Sequence, residues 1–262
     1  MKTDATQPAF EVRSVTYRVG AATILENVSI DVFYGRVLAL VGPNGAGKSS
    51  LLGVLTADIT PTGGGVLLDG RTLALHSATD LARTRSVLLQ SNQVSFAFSA
   101  HDVVEMGRAP WTGAVARDDE AMIANAMRRA DVSHLADRPF SSLSGGERAR
   151  VSLARVLAQD TRIVLLDEPT AALDLRHQED VLRIARDLAA DGRAVIVVLH
   201  DLSLAAAYAD EVAMIDVGRL VAHGTPAEVF TAERIGAVYG TAVRVVSDVD
   251  TGRPIVLPRR SA

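Results

Sequence analysis

Apolar positions along the chain alternate between two periods. Phe10, Val12, Val15, Tyr17 and Val19, then Val28, Ile30 and Val32, recur about every second residue, as in strands with one covered face. Val37–Leu40, Val66–Leu68, Val87–Leu89, Ile163–Leu166, Ala194–Leu199 and Val212–Ile215 are short unbroken apolar runs. Runs of that length, bounded by turn residues, predict strands buried on both faces. Between them the spacing becomes helical, at Leu51, Leu52, Val54 and Leu55 and again at Val181, Ile184, Ala185 and Leu188. Ser77–Arg83 reads as a short helix capped by Ser77, and Thr225-Pro226 as a helix start with proline first. Thr60–Gly65 reads as a break, Gly218 as a turn into Arg219–Val221, and Val243–Val246 and Ile255–Leu257 as closing strands. Strands alternating with helices predict an α/β chain with a mostly parallel sheet covered on both faces.

One stretch departs from this rhythm. From Ser91 to about Gln159 the β-branched runs vanish and Ala, Met and Arg rise. His101–Met106, Asp118–Ala130 and Arg148–Leu157 take helical spacing, so a helical subdomain interrupts the α/β core. The expected layout is a single domain over 1–262, with a core over 8–90 and 160–240, helices over about 91–159 and a short extension over 241–262.

Composition narrows the function classes. The 262 residues carry a net charge of −4, which gives no reason to expect nucleic acid as a partner. There is no cysteine, so thiol catalysis, disulfides and zinc-thiolate sites are excluded, and a reducing compartment is compatible. Met1–Phe10 carries Asp4 and Pro8 and does not read as a signal peptide. No apolar run approaches the ~20 residues of a membrane span, so a soluble chain is expected, reaching any membrane through a partner. Of 27 basic residues only Lys2 and Lys48 are lysine.

Lys48 stands in Gly42-Pro43-Asn44-Gly45-Ala46-Gly47-Lys48-Ser49-Ser50, which fits G-x-x-x-x-G-K-[ST]. A strand leads in and a helix leads out. Such a loop turns backbone N–H groups inward and adds a helix N-terminus, making an anion nest. Lys48 is expected to reach β- and γ-phosphates, and the Ser49 hydroxyl to sit on Mg²⁺. Strand Ile163–Leu166 delivers Asp167 and Glu168 at its carboxyl end, where open α/β sheets bind ligands. Asp167 suits a Mg²⁺-holding role and Glu168 a proton acceptor for attacking water. Ser144 and Glu147 of Leu143-Ser144-Gly145-Gly146-Glu147 form a capping box opening the following helix. The two glycines in that first turn cost about 1 kcal/mol each against alanine, which makes sense if a phosphate approaches the bare backbone. His76, His101, His134, His177 and His223 show no metal-ligand spacing.

Taken together, these motifs resemble the ATP-binding subunits of ATP-binding-cassette (ABC) transporters over about residues 10–240. Leu143–Glu147 is similar to the family signature, with glutamate in last place. The resemblance implies a P-loop NTPase core with an antiparallel β subdomain and an inserted helical subdomain. It implies that Tyr17 stacks on adenine, that Gln90 senses Mg²⁺ and the attacking water, that His200 contacts the γ-phosphate, and that Ala171–Asp174 contacts a second subunit. It further implies ATP and Mg²⁺ as cofactors and a head-to-tail homodimer in which Leu143–Glu147 of one copy covers the ATP on Lys48 of the other. Two integral-membrane permease subunits would hold the pair at the cytoplasmic face of the inner membrane. A periplasmic or surface binding protein would act indirectly.

Ser142–Arg150, Val156–Gln159, Leu165–His177 and Val198–Leu202 most resemble the hemin importers among iron-complex and cobalamin systems, and Met106-Gly-Arg-Ala-Pro110 resembles the iron-complex group generally. Ferric siderophore or cobalamin import stands as the alternative. A non-transport cassette ATPase is disfavoured: there is one phosphate loop, no sustained heptad pattern and a net negative charge.

Overall fold

The computed structural model describes residues 7–89, 98–113 and 118–260. In chain order its elements begin with β1 (Pro8–Val19), β2 (Ala22–Phe33), β3 (Val37–Val41), α1 (Lys48–Leu55), β4 (Gly63–Leu68), β5 (Arg71–Thr72), α2 (Ala78–Thr84) and β6 (Arg85–Leu88). Next come α3 (Ala100–Glu105), α4 (Asp119–Arg129), α5 (Gly145–Ala158), β7 (Ile163–Asp167), α6 (Leu175–Ala190) and β8 (Ala194–Val198). The chain closes with α7 (Leu202–Tyr208), β9 (Glu211–Asp216), β10 (Arg219–Gly224), α8 (Pro226–Val229), α9 (Ala232–Tyr239), β11 (Val243–Ser247) and β12 (Pro254–Pro258). The fold is α/β, with a mixed, mostly parallel sheet and an antiparallel one. Two compact units form, Met1–Leu75 with Leu188–Ala262, and His76–Asp187. Among the described residues no helix is long and apolar enough to cross a membrane.

In the first unit β3 pairs in parallel with β8 on one side and β9 on the other, and β10 returns antiparallel beside β9. Every residue of β3 and β8 is buried, as their unbroken apolar runs require. Leu51, Leu52, Val54 and Leu55 of α1 are buried too. Enclosing each such side chain is worth roughly 2 kcal/mol, so α1 is fixed by packing although it has only eight residues. A second sheet runs β2-β1-β4-β5, all antiparallel.

Here the structure corrects one expectation. Gly63-Gly64-Gly65 belongs to β4 rather than to a break, leaving only Thr60–Thr62 outside it. Gly64 lies at φ 73°, where a Cβ would stand 2.2 Å from the Ser14 carbonyl, at an irregularity in the β1–β4 register. The glycines let two backbones meet at a bulge.

In the second unit β6 and β7 pair in parallel. The predicted strand at Val87–Leu89 starts two residues earlier, at Arg85, and ends at Leu88, while Gln90, its expected end, lies outside the described residues. Around α5 the packing explains Met106–Pro110. Gly107 abuts the α5 backbone so closely that a Cβ would stand 2.2 Å from the Arg155 carbonyl. Arg108 is buried, donates to the Ala158 carbonyl at 2.7 Å and pairs with Asp119 at 2.8 Å. Trp111 lies between the Arg83 and Arg108 guanidinium groups and donates to the Gln159 carbonyl. The stretch that resembled a cargo-group word is a clamp on α5.

Candidate nucleotide-binding site

Strand β3 ends at Val41 and the chain turns at once. At Gly42 φ is 148°, and a Cβ there would stand 2.0 Å from the Ile215 carbonyl of β9. Only glycine fits, which is why the motif's first glycine is fixed. The loop is pinned from outside by Gly218, whose amide donates to the Ala46 carbonyl at 2.9 Å. Helix α1 opens at Lys48 behind Gly47 in the left-handed conformation, with no side-chain cap and no acidic residue in its first turn. Its N-terminal amides, and the positive end of its dipole, are left for an external anion. The Lys48 side chain is buried and donates to the Gly42 and Pro43 carbonyls at 2.8 and 2.9 Å. Those bonds hold the ammonium inside the loop. Asn44, Gly45 and Ser49 are exposed.

The same sheet edge carries His200. Leu40 of β3 faces Val198 of β8 in register, and the Leu199 amide bonds the Leu40 carbonyl, so Gly42 and His200 leave neighbouring parallel strands at their carboxyl ends. Asp201 then caps α7, accepting from the Ser203 and Leu204 amides. Tyr17 sits in β1, half-buried, opposite Leu25. Tyr239 carries no motif in the sequence. This residue ends α9 and meets the Gly42 backbone; burial pushes its phenol up to about 12, and Asp216 adds to the rise. The weak sequence signal for α7 and α9 lay in their caps, Asp201, Thr231 and Gly240.

The second unit holds the other predicted residues. Asp167 ends β7 and is buried, while Glu168 follows at φ 50°. A non-glycine residue in that region costs on the order of 1 kcal/mol and breaks the strand direction. Ser144 caps α5. Its hydroxyl accepts from the Glu147 amide, and its own amide donates to the Glu147 carboxylate at 2.7 Å, closing the predicted box. The Ser144 amide first and the Ser144 hydroxyl next, with Arg138 at 3.1 Å and the Arg150 charge, hold the Glu147 carboxyl below the usual carboxylate range. The helix starts at Gly145, three residues before the predicted start, because the box itself forms its first turn.

The two signature glycines differ. A Cβ at Gly145 would meet nothing within 4 Å, whereas one at Gly146 would stand 3.4 Å from the Ala172 carbonyl and 3.6 Å from Leu173. Gly145 leaves room for an approaching phosphate; Gly146 packs against the loop after β7. Asp174 ends that loop and accepts from the His177 amide at 3.0 Å and from its ring at 2.7 Å. Gln178 braces the loop by donating to the Thr170 and Leu173 carbonyls. A hollow of about 230 Å³ lies between the α5 start and the end of β7, bordered by Gly145, Arg148, Asp167 and Glu168. The Asp167 carboxylate is a hard oxygen donor, which suits Mg²⁺ rather than a soft metal.

A family model described as ABC transporter matches residues 25–171, more than half of the chain. The chain belongs to the ABC transporter family. Its curated relatives include the hemin import ATP-binding protein HmuV of Thermobifida fusca (strain YX), 58% identical over 95% of this chain and 88% of that protein. The protein of the same name from Rhodococcus jostii (strain RHA1) is 52% identical over 99% of this chain and 91% of its own length. Among solved structures, a chain of a metal-chelate type ABC transporter in an inward-facing conformation superposes with a TM-score of 0.82 at 26% identity, covering 97% of this cassette and 98% of that chain. A dimeric ATP-binding cassette in a post-hydrolysis state with ADP and Pi superposes at 0.75 and 26% identity, covering 83% of this cassette and 98% of that chain.

Proposed function

We propose that this cassette is the ATP-hydrolysing subunit of a bacterial importer and that its cargo is hemin. The observation that carries the ATPase reading is the uncapped start of α1 behind a loop whose lysine is already held inside it. The cargo reading rests on the hemin-import names of relatives 52–58% identical over nearly the whole chain.

In this reading the Lys48 ammonium exchanges its two carbonyl partners for β- and γ-phosphate oxygens, and the amides of 45–50 take the remaining charge. Tyr17 stacks on adenine. Ser49, Asp167 and Gln90 would hold Mg²⁺, which neutralises phosphate charge when bound. Glu168 accepts the proton of the attacking water, and His200 bonds the γ-phosphate that the water attacks. Ser144–Gly146 and Asp174 of a second copy, related head to tail, complete the site; ATP closes the pair and hydrolysis opens it. The pair drives a membrane permease dimer from the cytoplasmic face. This is positioning and electrostatics with no covalent intermediate.

The test is to purify the cassette with its permease and follow ATPase activity as cargo is supplied with the cognate binding protein. Hemin is expected to stimulate turnover. Glu168→Gln should abolish turnover while keeping ATP bound, and Lys48→Ala should lose ATP binding itself. Stimulation by a ferric siderophore or cobalamin in place of hemin would overturn the cargo and leave the ATPase reading intact. Retained turnover in Glu168→Gln would overturn the base assignment.

A further inference from the structure

Between β9 and β10 the chain reverses over two residues, with Asp216 paired to Arg219. Both central residues take positive φ, 43° at Val217 and 74° at Gly218. That is the pattern of a type I′ hairpin turn, whose first place suits asparagine and penalises a β-branched side chain. Val217 is exposed, so no core packing offsets the strain. The turn is held instead from β2. The Gly218 carbonyl accepts from the Glu26 amide at 2.8 Å, and the Glu26 carboxylate accepts from Arg219 at 2.8 and 3.0 Å. A Cβ at Gly218 would stand 2.4 Å from the Ile24 carbonyl, so the turn is seated directly on the β2 backbone. From that seat the Gly218 amide reaches the phosphate loop and donates to the Ala46 carbonyl at 2.9 Å.

This bond sets a direction. The C=O and N–H of one trans peptide point opposite ways, and the N–H that shares a peptide with the Ala46 carbonyl belongs to Gly47. Drawing the carbonyl outward to Gly218 aims the Gly47 N–H into the loop. Gly47 is buried, and its amide has no acceptor among the described residues. Buried amides without partners are rare, so this donor is kept for a ligand oxygen. Gly47 also rests on β2, since a Cβ there would stand 3.0 Å from the same Ile24 carbonyl.

We propose that Gly218 is a positioning residue for ATP hydrolysis. Its N–H, carried on a turn seated on β2, fixes the Gly47 N–H toward the phosphate before nucleotide arrives. This rests on the reading that the amides of 45–50 take phosphate charge.

The test removes the Gly218 N–H alone. Glycolic acid placed at position 218 of the full-length chain by cell-free suppression turns that amide into an ester and keeps the backbone freedom of glycine. Ala46-Gly47 is the only Ala-Gly pair in the chain, so carbon-labelled alanine with nitrogen-labelled glycine isolates the Gly47 amide resonance by NMR. In the parent that resonance is expected to move as ATP saturates the loop. In the ester it is expected to shift or broaden without nucleotide, and the ATP dissociation constant to rise about tenfold. Gly218→Ala, whose methyl would lift the turn off β2, is expected to weaken ATP at least as much; if it fails to fold, the ester decides. ATP affinity of the ester within about twofold of the parent overturns the proposal. So does a fall in affinity and melting temperature with the nucleotide-free Gly47 resonance unchanged, since that marks a general packing role. If the parent's Gly47 resonance ignores saturating ATP while Lys48→Ala loses ATP binding, the amide reading itself fails and the lysine reading stands.

Discussion

Two helix starts in this molecule carry adjacent small residues and glycines, and they are built in opposite ways. At α1 the first turn has no side-chain cap and no acid, and the Lys48 ammonium is held inside the loop. At α5 the first turn is closed on itself by Ser144 and Glu147, and the acid there is held ionised by the same bonds. An uncapped start can take a phosphate by itself. A self-capped start already satisfies part of its polar demand and carries a negative charge. It can only add a hydroxyl and bare backbone to an anion held elsewhere. The difference bears on the proposal that the chain binds nucleotide alone but needs a second copy to use it.

Glycine-to-alanine exchange separates the two starts most strongly. Gly42→Ala should be severely destabilising, on the order of 3 kcal/mol or more, because the new methyl meets the Ile215 carbonyl. Denaturant unfolding and loss of ATP binding would show it together; a variant of near-native stability would break the comparison. Next in size, Glu147→Ala should lower stability through loss of the box, and ATP binding by the monomer should be untouched. Smaller still, Gly145→Ala should leave stability unchanged or raise it by up to about 1 kcal/mol, since nothing lies within 4 Å of the new methyl. Turnover of the assembled transporter should nevertheless fall. Equal turnover would deny Gly145 a role at the phosphate.

The smallest effect concerns pH. The Tyr239 phenol is raised from 10.0 to about 12 by burial beside the Gly42 backbone. A raised folded value means that its contribution is whole below pH 10 and is lost as pH climbs toward 12. Denaturant titrations across that window should show a steeper loss for the native chain than for Tyr239→Phe. Parallel curves would place the phenol in water.

Most of this architecture was legible in the chain because its signals are local. Strands β3, β7 and β8 announce themselves as unbroken apolar runs, and the Ser77, Ser144 and Thr225 caps each name their helix. Gly42 and Lys48 are fixed by a spacing that leaves few other uses. What escaped depended on partners distant in sequence. Gly63–Gly65 looked like a break because nothing nearby shows that the backbone of β1 passes across them. Nothing in the sequence places Ala172 beside Gly146, and Tyr239 carries no signal of its burial beside Gly42. Helices α7 and α9 are too short for periodicity to register.

The closing strands β11 and β12 are fastened to α7. Ser203 accepts from the Val256 amide at 3.1 Å, and Arg253 donates to the Ala206 and Ala209 carbonyls at 2.7 and 3.0 Å. Helix α7 begins one residue after His200–Asp201. The strands that close the chain thus splint the helix that follows His200, and removing them would unbrace a segment some fifty positions upstream.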